Sequence, residues 1–109
     1  MAVLPVQAIS ITGATPAYVA ASAGGDQVPP GDKTHLHVKN GSAASVNVTL
    51  TPPGNTRWGQ PNPAIVVAVA AGAESLIGPL DQTLADPITG NVAVAYSASA
   101  SVTVQARRI

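Results

Sequence analysis

Short runs of strictly alternating apolar and polar residues, each ended by proline or glycine, commit this chain to β-structure. Residues 45–51, SVNVTLT, put Val46, Val48 and Leu50 on one side and Asn47, Thr49 and Thr51 on the other, the period of a half-buried strand. Residues 34–39, THLHVK, do the same, with Leu36 and Val38 facing in and His35, His37 and Lys39 facing out. Residues 91–97 offer Val92, Val94 and Tyr96 inward, and 101–107 offer Val102, Val104 and Ala106. Shorter runs lie around Ile9 and Ile11, Tyr18 and Val19, and Leu76 and Ile77. The segment 65–69, IVVAV, is apolar on both faces, as in a strand covered on both sides or lying against a partner. Ten prolines and ten glycines fall almost wholly between these runs, where they break helices and make turns.

Roughly seven or eight short strands with turns between them predict an all-β chain, a single antiparallel β-sandwich of jelly-roll or Ig-like type. Asn40-Gly41 suits a hairpin joining 34–39 to 45–51, and the last two runs are expected to form a closing hairpin. The stretches 23–32, 51–63 and 79–90 read as Pro- and Gly-rich loops. Residues 1–7, MAVLPVQ, read as an extended arm before a domain at 8–109, because Pro5 removes a ladder donor. Such an arm either lies on its own domain or is laid on an adjacent subunit as an added strand. Without phenylalanine, the core is expected from Val, Ile, Leu and Ala.

Charge and cysteine narrow the function. Five basic residues balance five acidic ones, so no basic footprint for nucleic acid or an anionic membrane exists. Charged residues make up 9 % of the chain, against about a quarter in ordinary soluble domains, a thin coat of the kind that favours association. Cysteine is absent, which removes disulfides, thiolate nucleophiles and Cys metal sites. Residues 1–7 lack the basic and apolar regions of a leader, and no run is long enough to cross a bilayer, so a soluble chain is expected.

His35 and His37, two apart on one strand face, have the spacing of a two-His metal site whose third ligand would come from Asp26, Asp32 or a later acid. The other reading is two outward polar residues on an alternating strand, and no metal motif accompanies them. Asp81 and Asp86 lack the order of a calcium loop, and the glycines of 23–26 lack the spacing of a phosphate loop. No G-x-S-x-G elbow occurs and no acid, base and nucleophile assemble, so neither enzyme activity, nor cofactor, nor metal is expected. Trp58 beside Arg57 is the pairing enriched at interface hot spots, although a lone Trp also serves to cap an open sandwich end. Arg107 and Arg108 either pair with a partner's acids or solvate the last strand. The residues expected to touch a partner are therefore Met1, Val3, Leu4 and Pro5 of the arm, Arg57 and Trp58, Asp86 in the 81–90 loop, and Arg107 and Arg108.

Three segments carry a family resemblance: AGGDQVPPGDKTHLHVKNGSAASVNVTLT, VAAGAESLIGPL and TGNVAVAYSASASVTVQARRI. Their G-D-x-T-x-L-x-V-x-N-G, E-x-L-I-G-P and V-x-Y-S-x-x-x-S-V-T-V patterns resemble the small Ala/Val/Thr-rich head accessory proteins of tailed bacteriophages, over residues 23–109. The resemblance implies a decoration or cement role: many copies, made in the host cytoplasm, bind the outside of the capsid and hold the major capsid protein lattice. It implies no catalytic residue, and copies of the chain itself as further partners, with a trimer as the arrangement. The competing readings are another virion component (tail, head-tail joining or head fibre) and a carbohydrate-binding sandwich. Against the last, sugar platforms use several exposed aromatics and this chain has three in all.

Overall fold

The computed structural model describes residues 2–108. They form a β-sandwich of strands β1 (Ala2–Val3), β2 (Val6–Ala8), β3 (Val19–Ala20), β4 (Asp26–Val28), β5 (Thr34–Asn40), β6 (Val46–Leu50), β7 (Ile65–Val69), β8 (Glu74–Ile77), β9 (Val92–Tyr96) and β10 (Val102–Arg108). A single 3-10 turn, Gln82–Leu84, is capped by Asp81, whose side chain accepts from the Thr83 amide. The first sheet has the order β1-β4-β9-β6-β7 and the second β2-β10-β5-β8, with β3 sharing the free edge of β10 with β2. All pairs are antiparallel except β1 with β4 and β2 with β10.

The alternating runs become the long strands, and their inward residues make the core. Leu36, Val38, Val46, Val48, Leu50, Val92, Val94, Val102, Val104 and Ala106 are buried. Leu80, from the connection between β8 and β9, closes the core's lower end; its N–H donates to the Thr34 carbonyl and its carbonyl accepts from Gly31 N–H. Small aliphatic residues give a flat molecule, 45 × 35 × 19 Å. Its 6191 Å² of accessible surface exceeds the roughly 5,500 Å² of a compact globule of this mass. Asp26 is also in the core; its Oδ2 accepts from the Tyr96 hydroxyl at 2.8 Å and the Ser22 amide at 3.3 Å.

Four expectations need correction. Residues 41–45 do not close a hairpin: β5 lies in the second sheet and β6 in the first, so the Asn40-Gly41 segment crosses between sheets. Residues 97–101 cross likewise between β9 and β10, leaving β6 and β7 as the one long-strand hairpin. Strand β4 falls in a stretch read as loop, and Gly25 fits there because a Cβ at that position would meet the Val94 carbonyl oxygen at 2.6 Å. Strand β2 ends at Ala8, so Ile9 and Ile11, around which a short strand was expected, lie beyond it and are exposed.

The 1–7 segment is extended and, within the described residues, is held by the chain's own sheets. Val3 pairs with Gln27 in the first sheet, the Leu4 N–H donates to the Gln27 carbonyl at 2.8 Å, and after Pro5 the chain changes sheets to pair Val6 with Ala106. The Leu4 side chain, 3 % exposed, is a core residue.

Candidate docking end

Strand direction sorts the connections to two ends. Strands β4, β6, β8 and β10 start at one end, called upper here, where β5, β7 and β9 finish. The upper end therefore carries connections 22–25, 41–45, 70–73 and 97–101, and every residue in them is Ala, Ser or Gly. Asn40 clasps this end: its buried amide donates to the carbonyls of Ala44, Val69 and Ala70, and its Oδ1 accepts from Ser42.

The lower end carries 29–33, 51–64, 78–91 and the outer part of 9–18, the Pro-bearing connections. Ile11, Trp58 and Ile88, the most exposed of the large apolar side chains, all stand on these loops. Each proline fixes its own φ, which lowers the ordering cost of these loops on contact.

The projecting element is the 51–64 connection, which continues the β6–β7 hairpin. Asn55 bridges Pro61, the Thr56 N–H donates to the Gln60 carbonyl at 2.6 Å, and the Asn62 side chain donates to the Pro53 carbonyl at 2.8 Å. At the tip, Gly59 N–H closes a four-residue turn on the Thr56 carbonyl at 3.0 Å, with Gly59 at φ +80°, which favours glycine. Arg57 and Trp58 are the turn's two central residues. The Arg57 guanidinium lies 5.4 Å from the Trp58 ring centroid and the indole is 81 % exposed, so Trp58 caps nothing.

The remaining candidates divide. Arg108 is exposed at the lower end of β10, Val3 is exposed in the first sheet, and Pro5 is exposed where the chain crosses from β1 to β2. Asp86 stabilises its own turn, accepting at Oδ1 from Ile88 N–H at 2.7 Å. Leu4 cannot reach a partner because it is in the core. Met1 lies outside the described residues.

Arg107 belongs to a network on the outer face of the second sheet. Its Nη2 lies 2.7 Å from His37 Nδ1, and because guanidinium only donates, Nδ1 is the lone-pair nitrogen. Nε2 then carries the proton and donates to Glu74 Oε1 at 2.7 Å. The Tyr18 hydroxyl also lies 2.9 Å from Nδ1, and Lys39 Nζ sits 4.0 Å over the Tyr18 ring. Both nitrogens of His37 are thus engaged by protein groups. His35, on the same face, has its pKa lowered, first by burial and then by the Arg107 charge. Among the described residues no group of three potential ligands surrounds either histidine.

The network was hidden from strand periodicity because its members come from β5, β8, β10 and the segment before β3, far apart in sequence. The lower end was half legible: Trp58 marked it, while the company of Ile88 and Ile11 depends on strand directions. No concave site occurs among the described residues. Comparison with known protein families, curated proteins and solved structures finds no match to this chain.

Proposed function

We propose that this chain is a structural virion protein of a tailed bacteriophage, decorating the capsid exterior in many copies on the major capsid protein lattice. The observation that supports it most is the segregation of exposed side chains. The most exposed large apolar groups and the Arg57-Trp58 turn gather at the lower end, while the upper-end connections contain only Ala, Ser and Gly. A coat protein needs one end that grips and one that faces solvent without sticking. Rigid presentation of Trp58 supplies a hot-spot anchor, and repetition on a lattice lets modest affinity per copy suffice.

The test is sedimentation of particles from the source lysate with quantification of this chain against the major shell protein. One copy per one to a few shell subunits is expected. A few copies per particle makes it a tail, joining or fibre component, and absence from particles ends the virion reading. Trp58→Ala is expected to empty the particles of this chain without altering its fold.

A further inference from the structure

Strand β7 is apolar on both faces, as in a strand covered on both sides or lying against a partner, yet it is an edge strand. It pairs only with β6 and forms the edge of the first sheet, with Val66 and Ala68 exposed on the outer face and Ile65 partly exposed. Edge strands are ordinarily guarded by charge, proline or a bulge. The other edges of this sandwich have such protection or are short: β1 has two residues, and β8 carries Glu74 and runs into Pro79. Strand β7 contains no charge and no proline, and three of its five residues are Val and one Ile.

The hydrogen-bond parity identifies the open groups. Asn47 directs its backbone to β9, because its carbonyl accepts from Ser97 N–H at 2.9 Å and its N–H donates to the Ser97 hydroxyl at 2.9 Å. Directions alternate along a strand, so Val46, Val48 and Leu50 turn toward β7 and meet Val69, Val67 and Ile65. Val66 and Ala68, opposite Thr49 and Asn47, therefore point their N–H and C=O groups away from β6, out of the sheet. This spacing matches that of an extended backbone added as a further strand.

We infer that β7 is completed by an extended, uncharged segment of the shell protein on which the chain is seated, added as the next strand beside Val66 and Ala68. The inference rests on the proposed capsid seating and specifies its contact. A foreign strand is favoured over a second copy by geometry. Two β7 strands paired antiparallel about a two-fold would send their Trp58 hairpins to opposite ends, whereas copies seated on one support stand the same way up. Strand β7 also leads directly out of the 51–64 hairpin, so the tip and the edge form one continuous line of contact.

Two proline variants with a control, and three readouts, test this on purified particles. Val66→Pro and Ala68→Pro each delete an outward N–H that has no partner in the sheet, so both are expected to melt like the parent protein. Val67→Pro, which deletes an amide facing β6, is the destabilised control. Loss of one strand hydrogen bond, with its acceptor left unpaired, is expected to lower occupancy about tenfold. In particles, the Val66 and Ala68 amides are expected to exchange hydrogen far more slowly than in the free chain, and a photo-reactive residue at position 66 to cross-link to the shell protein. If the chain is abundant in particles, yet these amides exchange as in the free chain and both proline variants occupy normally, the strand addition is wrong and seating through Trp58 stands. Cross-linking to a second copy overturns it in favour of self-association. Absence from particles overturns both the seating and the added strand.

Discussion

The Tyr96–Asp26 pair makes the sharpest test of how this core is held. Asp26 is fully buried, its Oδ1 has no partner among the described residues, and its Oδ2 has the Tyr96 hydroxyl at 2.8 Å and a weaker Ser22 amide at 3.3 Å. Tyr96→Phe keeps the ring and removes the better of the two donors. A hydrogen bond to a carboxylate contributes about 1.5–3 kcal/mol, so at neutral pH the variant is expected to lose about 2 kcal/mol, or about 8 °C in Tm at ~4 °C per kcal/mol for a chain this size. The pH dependence adds an independent sign. Burial first, then the Asp26 hydrogen bond and charge, raise the Tyr96 pKa well above its ordinary value of 10.0. The unfolded chain therefore releases this proton as pH rises through 10 while the folded chain keeps it, so the stabilisation is complete below pH 10 and is lost above it. The slope is at most about 1.4 kcal/mol per pH unit, trimmed by solvent screening at the partly exposed ring. Urea unfolding at steps from pH 8 to 12 should show parent and variant curves converging above pH 10. Parallel curves, or a neutral-pH loss below about 0.5 kcal/mol, would refute the reasoning.

Three further outcomes are expected. Leu36→Ala, at a site with no exposure, should cost about 3–5 kcal/mol because stiff β-branched neighbours collapse poorly into the cavity, a Tm drop of more than about 10 °C by calorimetry. Burial and Arg107 hold the His35 pKa below its ordinary 6.5, so the unfolded chain takes up this proton first and stability falls as pH drops below 6.5; His35→Gln should flatten that decline in denaturant titrations from pH 7 to 5. Trp58, the sole tryptophan and 81 % exposed, should emit as a solvated indole quenched readily by acrylamide, and Trp58→Ala should leave Tm unchanged; a shielded emission in the free chain would contradict the exposed turn.

What the sequence made legible follows from the range of the forces involved. Burial of Val46, Val48 and Leu50, or of Val102, Val104 and Ala106, is set by period-two alternation within a strand, and those strands form within a residue or so of the expected bounds. Pairing is not local. The five residues after Asn40 look like a hairpin turn, yet Asn40 spends its amide on Ala44, Val69 and Ala70, tying two connections together across the upper end instead of closing one. Strand β4 was missed because its three residues are too few for a period to show, and Asp26 in an inward position breaks the apolar pattern for the sake of Tyr96.

The candidate site repeats that division and adds polarity. Each Ala/Ser/Gly connection and each Pro-bearing one was visible as a turn, with nothing local to say that the first kind share one end and the second kind the other. The sorting follows from the antiparallel ladder, which returns the chain to alternate ends at each strand. Four Ala/Ser/Gly connections at one end and four Pro-bearing ones at the other require the two kinds to alternate along the chain, and from β4 onward they do: 29–33, 41–45, 51–64, 70–73, 78–91, 97–101. A chain whose surface was shaped only by solubility has no reason to keep that alternation. The proposed seating on one end gives such a reason, and under it the apolar, unguarded β7 is the edge most directly joined to the proposed contact end.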